Sequence, residues 1–552
     1  MSQTKTVFKP RISIVMRYGK VTWIVVLLVL ARSRWAWQSL FVWTQGANLH
    51  GRTLNGHVQL LPSCRLRQTS VKRQAQSDDS TEALTDLRYG CRNITIVSSA
   101  ALPWLTGTAI NPLLRAVYIA RRHQHKVILA LPWIKDEGEQ ELVFPSGITF
   151  QTTQQQEQWI RRWLEEQATG FSVADANSFE IAWYPATYSS LLGTVFIRAS
   201  QMDMTSELVP DNFADVVILE EPEHLNWVHH GGRWSDRFSH VIGIVHTNYR
   251  RYAEEDDQRD PLTSMLQPAF NCFFNVICYE YADVNIKLSG TIPPLTRDVT
   301  VNVHGARQHF IDKGLAFASG TLSAPTPSQA YFLAKALKAK GYGELLDLYE
   351  SAPDLGITLP GLDAFGSGKE ENEIRARAAE TGLPIVFHAG VDHASTTLDK
   401  YSIFVNPSTS EVLCTATMEA VAMGKACVIA DHISNSFFKM FNHTFFYKPG
   451  DVDDFAAAWH DAKEFVEAGN LGLSQENAAV LSWDVAVERL FEAAAMPAGA
   501  PRGTSGTLSH CSTSLHWCIT GPQLGDVLRD VVGVGAEKDW DRSKEKLRIA
   551  TI

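Results

Sequence analysis

The stretch NPSTSEVLCTATMEAVAMGK, residues 406–425, places two glutamates, Glu411 and Glu419, eight positions apart. YSIFVNP, which leads into it, predicts a buried strand, and TATMEAVAMG predicts one helix that ends at Gly424. Glu411 is therefore expected in the loop after the strand, and Glu419 on the helix. A helix N-terminus in this position offers free backbone N–H groups and a positive dipole end, which suit a diphosphate. Carboxylates accept hydrogen bonds from sugar hydroxyls. The stretch therefore predicts a site that holds a diphosphate and a sugar together.

The length and composition of the chain predict two domains. It has 552 residues, of which 45% are hydrophobic, whereas single cores stop growing beyond about 250 to 300 residues. Short apolar segments alternate with helical stretches such as LLRAVYIARRHQH (113–125), and this alternation predicts parallel sheets. We expect an α/β protein with two Rossmann-like, doubly wound parallel-sheet domains that face a central cleft.

The expected strands of the first domain are NITIVSS (93–99), VILALPW (127–133), DVVILEE (215–221), HVIGIVHT (240–247) and FFNVICY (273–279). Those of the second are YFLAK (331–335), GITLPGL (356–362), IVFHAG (385–390), YSIFVNP (401–407) and ACVIAD (426–431). The predicted divisions are a targeting region at 1–77, the first domain at 78–310, the second at 315–495 and a tail at 496–552. The tail lacks long periodic segments and is predicted to be disordered.

The charge of the chain is unevenly distributed. Residues 1–77 hold twelve Lys or Arg and no acid, which leaves 38 of the 50 basic residues against all 60 acidic ones, a net charge of −22. Such an acidic body argues against nucleic-acid binding. The apolar residues 21–31 are typical of a signal-peptide core, and the acid-free segment after them is typical of a transit peptide. Together they predict entry into a plastid through the secretory route; a signal anchor that is never cleaved is the alternative.

The rest of the chain is expected to meet a membrane only at its surface. Beyond the N-terminal region, no segment is long and apolar enough to cross a bilayer. The helix predicted at 154–166, QQEQWIRRWLEEQ, has Trp and Leu on one face beside two arginines. That face either packs on the first domain or lies in a membrane interface.

Seven further segments, in order, resemble the digalactosyldiacylglycerol synthases, a family of retaining glycosyltransferases of the GT-B type. They are LPWLTGTAINPL (102–113), EEPEHLNWVHHGGRW (220–234), VIGIVHTNY (241–249), VNVHG (301–305), AKGYGELL (339–346), GVDHA (390–394) and ADHISNSFFK (430–439). The resemblance implies the GT-B fold and transfer of galactose from UDP-galactose to monogalactosyldiacylglycerol, with retention, at the chloroplast envelope. The implied partners are UDP-galactose and a galactolipid at a membrane surface, with no nucleic acid.

The resemblance assigns the donor to the second domain. The implied donor-binding residues are Glu411, Val412, Leu413, Glu419, Lys335 and Lys340. Glu411 would hold the donor sugar and Glu419 the ribose, while Lys335 and Lys340 would stabilise the departing diphosphate. Lys338 competes with Lys340 for that role. Because Lys335 stands where many relatives have Arg, bidentate binding is not expected there, and Ala334 replaces a Gly often found before that position.

Acceptor-binding residues are expected in the first domain, where strands end. They are Gly107, Glu221, Glu223, His224, Trp227 and His246. Gly107 either lets a ligand approach the backbone or permits a tight turn. The resemblance implies that His246 faces the cleft and contacts the acceptor or the transition state, which would make it catalytic together with Lys335, Lys340 and Glu411. Otherwise His246 is satisfied within a domain interface.

No metal and no protein-bound cofactor are expected. His224, His229 and His230 match no zinc-ligand spacing. DVDD (451–454) is interpreted as the start of a helix. Two other functions stay open: a transferase with a different UDP-sugar or lipid, and a lipid-binding envelope protein without catalysis.

Overall fold

The computed structural model describes residues 85–496, apart from residues 123, 167–169, 190–192, 199–201, 228–231, 249–280, 296, 324, 326–328 and 369. The predicted targeting region and almost all of the predicted tail lie outside these residues, as does the strand expected at 273–279. The described residues belong to one compact unit and contain two β-sheets.

The first sheet has eight strands in the order β4-β3-β2-β1-β5-β6-β7-β8. They are β1 (Asn93–Val97), β2 (Lys126–Ile134), β3 (Glu180–Ser189), β4 (Thr194–Ile197), β5 (Val216–Glu220), β6 (His240–Val245), β7 (Val284–Lys287) and β8 (Asp298–Thr300). All neighbours are parallel except β3 and β4, which form a hairpin. Because the chain builds outward from β1 in one direction and from β5 in the other, the topological switch point lies between these two strands.

The second sheet has six parallel strands in the order β11-β10-β9-β12-β13-β14. They are β9 (Ala330–Leu333), β10 (Leu362–Phe365), β11 (Ile385–His388), β12 (Ile403–Asn406), β13 (Ala426–Ala430) and β14 (Thr444–Tyr447). Its switch point lies between β9 and β12, so each sheet has a ligand-binding position defined by topology alone.

Thirteen α-helices connect and cover the sheets within the described residues. They are α1 (Gly107–Ala120), α2 (Glu137–Val143), α3 (Thr153–Glu166), α4 (Val173–Ala176), α5 (Met204–Glu207), α6 (Pro222–Trp227), α7 (Gln308–Ala318), α8 (Tyr342–Ser351), α9 (Glu371–Glu380), α10 (Thr415–Ala422), α11 (Val452–Glu467), α12 (Gln475–Leu481) and α13 (Trp483–Ala494). None of them combines the length and the apolar composition that a bilayer span requires.

Two expected elements differ from the structure. The strand expected at 356–362 begins only at Leu362, because Gly356 has a φ of +72° that ends a short 3₁₀ turn and the next proline, Pro360, has no N–H to donate to a ladder. The helix expected from 113 begins at Gly107 and includes Pro112. Pro112 cannot bond the Thr108 carbonyl, and Ser98 Oγ donates to that carbonyl at 3.0 Å instead.

The apolar face of α3 packs within the protein. Ile160, Trp163 and Leu164 are buried and belong to the core around the first sheet, and Trp159 packs against that core. Of the two possibilities for this helix, packing on the first domain is the one observed.

The chain connects the two sheets at two adjacent places. After β8 it runs through 301–307 into α7, and α12 and α13 bring it back to pack on α1. The two passages touch, because Ala306 N donates to Leu481 O at 2.8 Å. A Cβ on Gly305 would lie 2.6 Å from Trp483 N, so only glycine allows this approach. The predicted second domain, 315–495, thus includes a helix that completes the layer over the first sheet; its boundaries stay a prediction.

Candidate active site

The carboxyl edges of the two sheets face each other across a cleft. Lys335, two residues after β9, holds its ammonium 5.3 Å from the centre of the Trp104 ring, in the loop after β1. A Cβ on Gly107 would lie 3.4 Å from Thr415 Oγ1. Both switch points therefore open onto the same space, where doubly wound sheets bind ligands.

Two helix N-termini meet in this cleft. α1 begins at Gly107 and α10 at Thr415, and neither N-cap residue, Thr106 or Cys414, forms a side-chain cap hydrogen bond. The N–H groups of the first two residues of each helix, Gly107 and Thr108 in α1 and Thr415 and Ala416 in α10, and the positive dipole ends are thus available to an anion. Gly107 has no positive φ, so its turn does not require glycine; a role in letting a ligand approach the backbone stays a prediction.

Glu411 lies in the loop before α10, as predicted, and pairs with Lys340. Each oxygen of its carboxylate is 3.1 Å from Lys340 Nζ. The loop is held in place because Thr409 Oγ1 donates to Glu344 at 2.9 Å and Ser410 Oγ donates to the Ala339 carbonyl. The hydrogen bonds thus join the loop to the segment that carries Lys340 and fix the two charges relative to each other.

Val412 and Leu413 contribute differently from Glu411. Both side chains are buried in the core, so only their backbone groups are placed to contact a donor. A role for them in donor binding, through their backbone groups alone, stays a prediction.

The three candidate lysines occupy distinct environments. Lys338 points away from the cleft, since it pairs with Glu373 on α9 at the exposed surface. Lys335 lies at the cleft. Its ammonium loses hydration beside the surrounding protein, and this effect first, and then the charge of Lys340, lower its pKa. An anion between Lys335 and Lys340 would reverse that shift, because it favours the charged form of both. The structure therefore favours Lys340 over Lys338 as the partner of a diphosphate.

Glu419 is buried on α10 and is held by Arg307 and His393. Arg307 Nε donates to its Oε1 at 3.3 Å, and His393 Nδ1 contacts its Oε2. Burial alone would raise the pKa of Glu419, but His393 and Arg307 outweigh it and lower the pKa below its usual value. Sequence reasoning missed both partners, although His393 lies in GVDHA and Arg307 follows VNVHG closely. Arg307 belongs to the 301–307 passage, so it links this passage to α10.

The Glu419 interaction predicts a pH-dependent stability. Because the folded-state pKa lies below the unfolded value of about 4.3, the stabilisation is complete above that pH and is lost as the pH falls through the folded pKa. We expect Glu419→Gln to lower the free energy of unfolding by about 3 kcal/mol at pH 7, since the buried Arg307 loses its nearer carboxylate and keeps only Asp392, at 3.8 Å. Denaturant titrations should show this difference shrinking below pH 4; a difference that is constant from pH 7 to 3 contradicts the ion pairing.

On the first sheet, Glu220 and Glu221 end β5 and face the end of β6. His246 Nε2 is 2.5 Å from Glu220 Oε2. Glu221 has a φ of +68°, which is uncommon for a residue with a side chain. Its buried carboxylate accepts from Ser99 Oγ and Thr247 Oγ1, each at 2.5 Å. Residues after β1, β5 and β6 are thus joined at the switch point.

The remaining acceptor candidates are either buried or outside the described residues. Glu223 is buried, and neither oxygen has a hydrogen-bond partner among the residues described; burial first, and then the charge of Glu221, raises its pKa well above normal. His224 is buried as well, with Nε2 2.7 Å from the Val195 carbonyl and its ring stacked on Phe196. The side chain of Trp227, and His229 and His230, lie outside the described part of the chain. A role for any of them in acceptor binding stays a prediction.

Two clusters could be considered for a metal. Glu220, His246 and His304 bring ligand atoms within 4.8 Å of one another. However, Arg115 Nε donates to Glu220 Oε1 at 2.7 Å, and its fixed positive charge opposes a cation there. In DVDD, Asp451 accepts from Asp454 N at 3.1 Å and caps α11, as predicted. Neither cluster is well suited to a divalent ion.

The two doubly wound sheets, with switch points that open onto one cleft, define a protein of the GT-B fold class. The sequence profile described as "Glycosyl transferases group 1" matches residues 351–462. A solved structure of sucrose-phosphate synthase from Thermosynechococcus elongatus has a TM-score of 0.44 and 14% identity, and the match covers 73% of this chain and 98% of that one. The fold assignment itself follows from the sheets and their connections.

Relatives then define the family. The chain is 35% identical over 444 residues to digalactosyldiacylglycerol synthase 2, chloroplastic, of Lotus japonicus. This alignment covers 77% of this chain and 88% of the relative. It is 41% identical over 411 residues to digalactosyldiacylglycerol synthase 1, chloroplastic, of the same plant, over 74% of this chain and 50% of the relative. The chain belongs to the digalactosyldiacylglycerol synthase family. It spans about half the length of the type 1 relatives.

Proposed function

We propose that the protein transfers galactose from UDP-galactose to monogalactosyldiacylglycerol, with retention, to give digalactosyldiacylglycerol. The observation that carries this proposal is the Glu411–Lys340 pair beside the facing N-termini of α1 and α10. The carboxylate suits sugar hydroxyls as a hydrogen-bond acceptor, and the ammonium and the free N–H groups suit a diphosphate. The names of the relatives supply the identity of sugar and lipid.

The site supports transfer on the face from which the nucleotide leaves. The bond between the anomeric carbon and the diphosphate oxygen breaks, and the acceptor hydroxyl oxygen forms its bond to the same carbon on the same face. The departing phosphate takes the hydroxyl proton, so that no enzymatic nucleophile is needed. Lys335, Lys340 and the two helix N-termini stabilise the negative charge that develops on UDP, while Glu411 orients the sugar.

The acceptor side of the cleft is formed by the ends of β5 and β6. We place the galactose headgroup of the lipid near His246 and Glu221, at the carboxyl ends of these two strands. We also propose that the protein acts peripherally at the plastid envelope, because the relatives are named chloroplastic and the lipid in their name, a digalactosyldiacylglycerol, is a membrane lipid.

The test is transfer by the purified full-length chain with vesicles that contain monogalactosyldiacylglycerol. Labelled UDP-galactose and UDP-glucose are supplied separately, and products are identified by mass spectrometry and by the NMR coupling of the new anomeric proton. We expect an α-linked second galactose from UDP-galactose. Transfer from UDP-glucose instead supports the different-sugar alternative, and vesicle binding without turnover of either donor supports the lipid-binding alternative.

Catalysis is expected to need no divalent metal held by the protein. Two lysines and two helix N-termini already supply positive charge at the diphosphate position, and the DVDD aspartates cap a helix. Excess EDTA should therefore reduce the rate less than about threefold. Complete loss under EDTA, restored by a metal and abolished again by Asp451→Asn with Asp453→Asn, would overturn this prediction.

A further inference from the structure

Glu220 is a buried carboxylate whose two oxygens have different partners. Its Oε1 accepts from Arg115 Nε at 2.7 Å, and its Oε2 is 2.5 Å from His246 Nε2. Both Arg115 and Glu220 are almost fully buried. Burial would raise the pKa of Glu220, but the charge of Arg115 and the contact with His246 lower it. Glu220 is therefore ionised and can only accept hydrogen bonds.

An acceptor-only carboxylate determines which nitrogen of His246 carries a proton. Nε2 must donate to Glu220, so Nδ1 is the nitrogen left for a ligand. The His304 ring, with its centroid 4.9 Å from that of His246, limits rotation of the imidazole. His304 is buried itself, and its pKa is held well below the usual range by burial and then by His246 and Arg115. It therefore packs beside His246 as a neutral ring.

Arg115 fixes the carboxylate from the opposite side. Its Nη1 donates to the Val303 carbonyl at 2.9 Å, and its guanidinium lies 5.5 Å from the centre of the Trp483 ring. The anchor therefore includes α1, the 301–307 passage and the first residue of α13. Arg115, held by these contacts, in turn fixes the position of Glu220 Oε1.

We propose that Glu220 is a positioning residue for the transfer reaction, acting through His246. It holds the imidazole with Nε2–H toward β5 and Nδ1 toward the cleft, where Nδ1 forms a hydrogen bond with a substrate hydroxyl. This inference rests on the proposed function, because it assigns a task within that reaction. Glu220 itself touches no substrate, unlike the neighbouring Glu221, which was predicted to do so.

The test is a double-mutant cycle on kcat with Glu220→Gln and His246→Gln. The glutamine at 246 keeps an N–H for Glu220 but removes Nδ1. We expect Glu220→Gln alone to lower kcat about 10- to 100-fold, as loss of a charged hydrogen bond does. In the His246→Gln background the same change should cost less than about threefold, because the atom that Glu220 positions is already missing. The KM for UDP-galactose should change little, since the donor residues lie on the second sheet.

A matched control comes from the opposite end of the same strands. Asp215, just before β5, accepts from Arg92, just before β1, at 2.6 Å. Asp215→Asn also breaks a β1–β5 ion pair, so it should lower stability while leaving kcat within about twofold in both backgrounds. Glu220→Gln leaves Arg115 buried without its ion pair, so Glu220→Asp is used as a second variant. Aspartate keeps the negative charge but is one methylene shorter, so its carboxylate lies farther from His246, and kcat should be intermediate.

Two outcomes overturn the inference. One is an equal loss of kcat from Glu220→Gln in both backgrounds; the other is wild-type kcat in well-folded Glu220→Asp and Glu220→Gln. If the wild-type chain transfers no sugar to any lipid, the proposed function fails instead, and the same four proteins are then compared by their free energies of unfolding. Non-additive unfolding energies would retain the Glu220–His246 pairing, and additive ones would reject it.

Discussion

Glu411→Gln is expected to retain the fold and to lose most of its turnover. The amide keeps the size of the side chain but removes the charge that pairs with Lys340 at 3.1 Å. It also weakens the hydrogen bonds that the donor sugar hydroxyls make. A charged hydrogen bond contributes roughly 1.5 to 3 kcal/mol, so kcat/KM should fall about 10- to 150-fold. Steady-state kinetics with UDP-galactose, and thermal unfolding, measure the two parts of this expectation.

The matched control is Glu373→Gln. Glu373 pairs with Lys338 as Glu411 pairs with Lys340, but on the exposed surface of the second domain. That variant should keep kcat/KM within about twofold, since exposed ion pairs contribute little. Near-normal turnover in Glu411→Gln would remove Glu411 from the site, whatever the control gives.

Lys340→Met should be at least as damaging as the glutamate change. It deletes a cation that stabilises the departing diphosphate, and it leaves the partly buried Glu411 carboxylate without its ion pair. Removing one such electrostatic contact in other enzymes costs about 100- to 1000-fold in kcat. We expect a loss of about 100-fold here, because Lys335 and the two helix N-termini remain.

Lys338→Met is the internal control for Lys340, only two residues away. Its ammonium pairs with Glu373, and its side chain is 44% exposed, so kcat should fall less than about threefold. If Lys338→Met proves more damaging than Lys340→Met, the loop after β9 has been assigned the wrong lysine. The comparison therefore tests the arrangement of the loop as well as the role of one residue.

Much of the fold followed from local sequence signals. The strand before Glu411 and the helix that carries Glu419 were predictable because each has a clear apolar period and a recognisable end, with Gly424 at a φ of +68°. The same holds for β1, β2, β5 and β6, whose apolar runs are almost wholly buried. The miss at 356–362 arose where apolar residues are interrupted by glycine and proline.

The site was predictable only in its loop and helix positions. The partners of Glu419 and Glu220 were not, because Arg307 lies 112 residues from Glu419 and Arg115 lies 105 residues from Glu220. Such pairs are created when strands order themselves in a sheet, and no local periodicity signals them. Polar residues directly after strands were a usable signal for the site. The charged residue that pairs with each of them could not be predicted.

The two ends of the described chain lie side by side. Thr85 Oγ1 accepts from Met496 N at 3.0 Å, and the end of α13 contacts His240, the first residue of β6, through the Ala494 carbonyl at 2.9 Å. Both ends therefore leave from the amino edge of the first sheet, one strand length from the cleft. A short peptide could join residue 496 to residue 85, and the ring could be reopened at an exposed turn. A body formed by residues 85–496 should consequently tolerate circular permutation, and tags attached at residues 85 and 496 should not obstruct the cleft.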